Sequence, residues 1–581
     1  MIGHPRDLAH ATLFRAIGAL AALAAAAAIT AFFYDRFWYP PDDGAYAHVA
    51  SRILQGEILN GGVQDVHAGY VNFVNAAALA QFGVDFVSLR IPLALLNVIQ
   101  ALIVYLILRR GGSWLAFSGS LAVSSLSFVQ FLNPTAHWYC LFLVLLIPLI
   151  LSRVPGPGWP RLILLGLVVG LIAMFRQLSG VIVAIAVFGW LIMEGSAPGS
   201  ERVWTPRLLL FGLALLVGLY VLNHADPATA MVFGAWPVAL LLVTGWQASV
   251  STRECLRMVG GLSLGAAIAC LPLLTYHIHH ASLSTWLVDT FAAAFQIPQL
   301  AFIEGQSFTS FATLVLPQLD DWQSPALVLN ALFWLTLILL PVVNGLTVLH
   351  RLRQATLTYG AAGALLWCAS FYTLVALHYQ IPIYLFYIAG LNAAALAAAV
   401  ISARAPGRAT VSAALVGLSV VALYFHAGQS LARGVEGTIK GERGERLVAC
   451  GMTHCSLRLD ARDVSVYREL VERIATRSAP NDCILALPSD AELYFITGRC
   501  NPTRFYNSAL GLRTAADVDA LLVRFHARQP AILIYRAGDK YNTALTQLLL
   551  ERVRTLYGSH ERVGEFDIYW QAIPYRGDLH Q

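Results

Sequence analysis

Charge is what this sequence has least of. Asp, Glu, Lys and Arg supply 12% of its 581 residues, about half the share of an average soluble protein. A chain of this length with so few charges cannot cover the surfaces of several water-soluble domains. Disordered and collagen-like classes need polar or Gly-Pro-rich compositions, and 57% hydrophobic content excludes both. No G-x-x-x-x-G-K-[ST] loop and no G-x-G-x-x-G turn occurs, so two phosphate-cradling signatures are missing. A formal net charge of +5 is small and spread out and points to no nucleic acid.

What the sequence has in abundance is long apolar runs. A helix crosses a bilayer with about 20 mostly apolar residues. Thirteen segments qualify: 12–34, 89–108, 113–132, 137–152, 160–175, 177–193, 207–223, 228–247, 258–278, 326–349, 357–377, 382–402 and 409–426. The first 430 residues carry 33 charges and the last 150 carry 38. This predicts a polytopic α-helical membrane domain over 1–430 and a soluble domain over 431–581.

Arg and Lys in short loops set the direction of insertion. With the N-terminus cytoplasmic, the cytoplasmic segments hold 14 basic residues against 4 acids, and the opposite face holds 4 against 11. An odd number of spans then puts the C-terminal domain outside, in the periplasm or extracellular space, with the chain in the cytoplasmic membrane. Cys450, Cys455, Cys483 and Cys500 all fall in that domain, where an oxidising compartment suggests two bridges. The local pairing, Cys450–Cys455 and Cys483–Cys500, is one of three.

The soluble domain alternates helix and strand patterns: 464–475, 483–487, 515–528, 531–535, 542–557 and 566–570. That is a small α/β layer structure. Asp517-Val518-Asp519 resembles a metal-binding Asp-x-Asp but opens a helix, where acids are stabilised by the positive end of the dipole.

Two outer loops are long, 35–90 and 279–324, and long loops in compact proteins carry function. In the first, Tyr46, Val49, Ile53 and Leu54 mark one face of a helix, with His48, Arg52 and Gln55 on the other. Residues 70–82 are apolar again, and both stretches are expected to lie at the membrane interface. Asp42-Asp43 precedes the first. One Asp suffices to cap a helix, and charges at a membrane boundary are functional candidates. The second loop, with Asp289 and Glu304, reads as an amphipathic surface segment.

Arg176, between two spans, is the basic residue of a short outer loop. A guanidinium kept there against the charge bias wants an anion, and its fork matches phosphate. His137, His378 and Tyr379 mark other outer span ends. His277 and His280, at i and i+3, are weak metal candidates without regular ligand spacing.

Several short segments carry a family likeness. Asp42-Asp43-Gly44-Ala45-Tyr46 follows the first span, then Ser51-Arg52-Ile53-Leu54-Gln55-Gly56, then His67-Ala68-Gly69-Tyr70, and His378-Tyr379 with Pro382 near the last spans. With the architecture, these resemble the GT-C superfamily of membrane glycosyltransferases. Within it they are most similar to glycosyltransferase family 39, which includes protein O-mannosyltransferases and the lipid A aminoarabinose transferase. Asp43 stands where Glu is usual, a Lys-Pro-Pro element is absent, and His378 stands where Arg is common.

The resemblance implies a polyprenyl-phosphate sugar donor and a lipid, polysaccharide or protein acceptor, with inversion at the sugar carbon. Asp42 is then the general base. Asp43 assists, either positioning the acceptor or holding a divalent ion, the one cofactor considered. Arg176 binds phosphate, and Arg36, His67, Tyr70, His137, His378 and Tyr379 line the pocket. The rivals are an oligosaccharide ligase or polymerase and a lipid-linked glycan transporter. A transporter predicts an internal repeat and mid-span charges, and the sequence has neither.

Overall fold

The computed structural model describes residues 5–154, 156, 158–196, 203–296, 300, 305–354, 356–357, 360–403, 407–427 and 446–571. The domain boundary read at 430 and 431 lies outside them, as do Arg202, Glu304 and Arg404. The chain forms two compact units. The first comprises Met1–Tyr34, Pro92–Leu274 and Gln306–Arg443, and the second Asp35–Ile91, Thr275–Gly305 and Gly444–Gln581.

Among the described residues the expected spans are helical over most of their length. Among the described residues ten helices, from Leu13–Phe33 to Arg408–Phe425, are long and apolar enough to cross a bilayer. Three segments are shorter: Ser113–Ser125, Trp159–Phe175 and Ala361–Leu377. The serines of Ser113–Ser125 turn back on their own helix. Ser124 Oγ donates to the Ser120 carbonyl and Ser125 Oγ to that of Leu121, bonds that compete with regular helix continuation. This is a multi-pass membrane protein.

Packing inside the unit follows membrane rules. Trp204, Leu208, Leu215, Leu219 and Leu222 line one face of helix Trp204–His224, and each is more than half exposed. Lipid tails are as apolar as leucine, so such a face is at home in a bilayer. Where helices meet, small residues let backbones approach. A Cβ on Gly170 would lie 2.7 Å from the Cα of Ala266, and one on Gly166 would strike the Leu262 carbonyl. Helices Trp159–Phe175 and Thr252–His279 therefore touch backbone to backbone.

The second unit is built on a four-stranded sheet. β1 (Leu447–Ala449) and β2 (Arg458–Asp460) pair antiparallel. β3 (Ile484–Leu487), β4 (Ile532–Arg536), β5 (Ser559–Val563) and β6 (Phe566–Trp570) form the sheet in the order β3-β4-β6-β5. β3 and β4 run parallel, with Ile484 opposite Ile532, and β6 is antiparallel to both its neighbours. A parallel pair needs a crossover, here made through helices Glu492–Thr497 and Ala515–Ala527.

Strand alternation divides the core. Ile484, Ala486, Ile532, Ile534 and Ile568 face a cluster with Trp38, Ala47, Leu79 and Phe86. Leu485, Leu487, Leu533 and Tyr535 face Val518, Phe525, Leu549 and Val553 on the other side. The first long loop is thus one layer of the α/β sandwich. Cys450 is bridged to Cys455, and Cys483 to Cys500.

Two expectations need correction here. Helix Pro40–Leu54 is buried on both faces, and His48, read as a residue of the polar face, is 5% exposed with its ring 4.8 Å from that of Tyr494. Asp289, read as part of a surface segment, is 1% exposed. It accepts from Arg513 Nη2 at 3.0 Å, Gln64 Nε2 at 3.1 Å and Asn60 Nδ2 at 3.2 Å, and is paired with Arg504. An amphipathic pattern shows which face is apolar, but not that arginines over 200 residues away will bury its acid.

Candidate active site

Helix Pro40–Leu54 opens with Pro40-Pro41, residues that cost no hydrogen bond in a first turn. The two carboxylates that follow are used differently. Asp43 is 1% exposed. It accepts the Tyr39 backbone N–H at 2.7 Å, which closes the helix start, and lies 3.3 Å from Arg90 Nη2. Arg90 also donates to the carbonyls of Arg36 at 2.9 Å and Phe37 at 2.7 Å. Burial raises the Asp43 carboxyl above its ordinary range, with Arg90 and the Tyr39 N–H opposing. With an arginine and a backbone N–H on its two oxygens, Asp43 is a structural anchor.

Asp42 is half-buried and shares its surroundings with Tyr39 and Lys540. Its charge is felt by both. The Lys540 ammonium lies 5.2 Å from the ring centroid of Tyr39 and 5.2 Å from that of Tyr541. Burial would lower the Lys540 pKa, but Tyr39 and Asp42 outweigh it and hold the group cationic. Gly44 is required next to the pair, because a Cβ there would lie 2.7 Å from the Cα of Glu492. The helix carrying Asp42 is thereby seated on the 490–497 segment.

One turn along the helix, Tyr46 faces His67, with Oη 3.3 Å from Nε2. His67 Nδ1 is 3.1 Å from Asp65 Oδ2. Asn72 Nδ2 donates to the same carboxylate at 2.5 Å and Tyr506 Oη at 3.2 Å. Burial raises the Asp65 carboxyl, but His67 and these donors outweigh it and hold it below the usual carboxylate range. Asp65 thus holds the His67 ring by its Nδ1 edge, leaving Nε2 toward the Tyr46 hydroxyl. Tyr506 also feels Tyr46 and Tyr541, which joins this relay to the surroundings of Asp42.

Behind Asp42 lies a buried charged cluster. Arg536 Nη2 is 2.7 Å from Asp490 Oδ1 and pairs with Asp539. Tyr467 Oη donates to Glu492 at 2.7 Å. Burial pushes Glu492 up to about 7 and Asp490 upward.

The remaining expected residues fall into three places. Arg36 is half-buried, and its carbonyl serves Arg90. Tyr70 opens helix Tyr70–Phe82 and is half-buried. His277 is packed, with Nδ1 2.9 Å from Ser282 Oγ and its ring stacked on Trp286 at 4.7 Å. Among the described residues no three His, Cys, Asp or Glu side chains are grouped to hold a metal ion. His277 is thus engaged with Ser282 and Trp286. Asp517 makes a capping box with Thr514.

Arg176, His137, His378 and Tyr379 come together in the first unit. Arg176 ends one helix and begins the next. Its Nη1 is 2.5 Å from His137 Nε2, and Cζ is 5.7 Å from the Tyr384 ring centroid. His137 stacks on Tyr387 at 3.6 Å. Tyr379 packs edge-on to Tyr384 at 5.1 Å and against His378 at 4.1 Å. Among the described residues Arg176 has only neutral contacts of this kind, and its buried Nε lacks a hydrogen-bond partner.

Sequence reasoning missed Lys540, Asp65, Tyr506 and the Glu492 cluster. Lys540 had a signal: it is one of two lysines in the chain, against 36 arginines. Asp65 stands two residues before His67, the spacing of a local carboxylate–imidazole pair.

No family profile matches the sequence, and no curated protein does. Among solved structures, ArnT from Cupriavidus metallidurans is similar, both bound to undecaprenyl phosphate and in the apo state. Each alignment covers 97% of this chain and 98% of that one, at 11% identity and a TM-score of 0.38. A likeness this distant assigns neither activity nor ligand, and the functional reading rests on the residues themselves.

Proposed function

We propose that the protein is a membrane glycosyltransferase that passes a sugar from a polyprenyl-phosphate donor to an acceptor hydroxyl on the non-cytosolic face, with inversion. One observation carries this reading: the neighbouring carboxylates Asp42 and Asp43 have separate employment. Asp43 closes the helix and pairs with Arg90. Asp42 stays half-buried beside a lysine and a tyrosine. A carboxylate so placed suits a general base, and the sequence likeness at Asp42-Asp43-Gly44 points the same way.

In the proposed step Asp42 takes the proton of the acceptor hydroxyl as its oxygen attacks the sugar carbon. The bond from that carbon to the phosphate oxygen breaks, and the phosphate leaves with the electron pair. A single displacement inverts the carbon. Phosphate leaves readily, so this reaction needs cationic stabilisation rather than a second carboxylic acid. Arg176, with its neutral partners, is suited as an anion site of the membrane unit.

The location supports a lipid-borne donor. Positive charge concentrates on the face opposite the long loops, and a non-cytosolic site has no supply of nucleotide sugars. Reporter fusions within 57–64 that read cytosolic would remove that support. The direct test is Asp42→Asn, expressed in a deletion strain and assayed by mass analysis of surface glycans. Loss of a general base costs about 10²–10⁴-fold in rate, with thermal stability unchanged. A well-folded variant that restores the wild-type glycan refutes the assignment.

A further inference from the structure

The second long loop begins as a tight corner. Helix Thr252–His279, one of the ten of bilayer length, is followed by helix Leu283–Gln296 with only residues 280–282 between them. Ala281 turns the chain with a φ of 50°. The backbone N–H of Ala281 donates to the Ile278 carbonyl at 3.2 Å, and that of Ser282 to the His277 carbonyl at 2.9 Å. Side chains lock the corner as well. His277 Nδ1 lies 2.9 Å from Ser282 Oγ, and the His277 ring stacks on Trp286 at 4.7 Å. The start of the second helix is therefore fixed to the last turn of a span.

The inward side of that helix is polar and employed. Trp286 Nε1 donates to the Ala68 carbonyl at 2.7 Å. Asp289, the one charged residue in the helix, is held by Arg504, Arg513, Gln64 and Asn60. The outward side is apolar. Leu287, Val288 and Phe291 are 41, 47 and 56% exposed and lie within about 100° of the helix circumference. Ser284, exposed beside them, adds only a hydroxyl. In water the opposite orientation is favoured. Burying a carboxylate demands counter-charges, whereas leucine and phenylalanine gain by leaving water. Here two arginines serve to bury the acid while large apolar side chains stay outside, the mark of an interaction surface.

Chain continuity says what covers this face. Helix Thr252–His279 exposes Leu264, Ile268, Leu271 and Ile278, one above another on a single side, a stripe suited to lipid tails. Ile278 stands in the last turn, directly before the locked corner. A helix that leaves a span there runs at the level of the headgroups, where an apolar face without charge sinks into the acyl boundary. A protein interface would carry a polar rim, and Ser284, Leu287, Val288 and Phe291 supply no charge for one. We propose that helix Leu283–Gln296 lies in the interfacial layer of a phospholipid bilayer, with Leu287, Val288 and Phe291 among the acyl chains. This goes beyond the glycosyl-transfer reading and stands without it.

The test uses the unaltered full chain, reconstituted in phosphatidylcholine nanodiscs. Part of the lipid carries a photoactivated carbene precursor in its acyl chain, and labelled positions are read by peptide mass mapping. Label is expected on Leu287, Val288 and Phe291, as on the exposed leucines of helix Trp204–His224. Trp286, Asp289 and Thr290, on the inward side, stay unlabelled. So does Val523, an exposed apolar residue of the α/β portion. Hydroxyl radicals generated in the water give the complementary measurement. Normalised for intrinsic reactivity, Phe291 is expected to oxidise several-fold more slowly than Val523. Absence of lipid label from 284–291, with helix Trp204–His224 labelled, overturns the proposal. Fast oxidation of Phe291 then means a wet surface, and slow oxidation means that a protein, a second copy included, covers the face. Label on every side of the helix overturns the orientation.

Discussion

Replacing Arg90 by Met isolates the anchor beneath the candidate base. The Arg90 side chain is 0% exposed and that of Asp43 2%. Its guanidinium serves three acceptors at once: Asp43 at 3.3 Å and the carbonyls of Arg36 and Phe37 at 2.9 and 2.7 Å. Met fills similar volume but donates nothing. The variant strands a buried carboxylate whose remaining partner is the Tyr39 N–H, plus two carbonyls. Removing one side of a buried ion pair costs about 3–5 kcal/mol, because the surviving charge has neither water nor a counterion. For a unit of this size that is roughly 6–20 °C in Tm. The assay is thermal unfolding of the purified protein in detergent, followed by near-ultraviolet circular dichroism. Arg90→Met combined with Asp43→Leu removes both charges and is expected to recover more than half of the loss, since apolar replacement of a whole buried pair is often neutral. An Arg90→Met protein within about 1 kcal/mol of wild type, the usual range of an ordinary substitution, would refute the account of Asp43 as an anchored structural group. A double variant no better than the single one would do the same.

Other outcomes follow from the same geometry. Gly44→Val places side-chain atoms against the backbone of Glu492. Overpacking of that kind costs about 1–3 kcal/mol, and glycan transfer should fall further than stability, because the shifted turn carries Asp42. Transfer that follows Tm alone argues against Asp42. Glu492, raised by burial to about 7, keeps a proton in the folded protein that the unfolded chain releases above its ordinary carboxyl range. Its contribution is full below that range and is lost as pH rises to about 7. Glu492→Gln should flatten the fall in Tm across pH 5–8, and an unchanged slope contradicts the burial argument. Arg176→Gln should weaken polyprenyl-phosphate binding about tenfold, with Arg176→Lys intermediate because ammonium lacks the planar fork. Equal binding by wild type and Gln removes Arg176 from the anion site.

The spans and the α/β alternation were legible because both rest on period and length. Apolar runs of span length became helices, and 483–487, 531–535 and 566–570 were found as β3, β4 and β6 to within a residue or two. β5 was not read, since Ser559-His560-Glu561-Arg562 shows no apolar alternation and pairs at a sheet edge. Ser113–Ser125 ended short of the expected 113–132, and hydropathy carried no signal for that end. At the site, Asp42 and Asp43 looked equivalent, and only their neighbours told them apart. Arg176 and His137 were singled out separately, and the fold set them 2.5 Å apart.

The sequence by itself determined that this is a multi-pass helical membrane protein with a small α/β portion, because solvent preference is summed residue by residue along the chain. It also marked Asp42 and Arg176 as charges out of keeping with their surroundings. Tertiary structure decided that the two long loops join the C-terminal segment in one compact unit, that Asp43 is spent on Arg90, and that Lys540 stands at the start of the Asp42 helix. Those are contacts between residues tens to hundreds of positions apart. No local pattern encodes them, because the free energy that selects each one is realised only when both partners are brought out of water together.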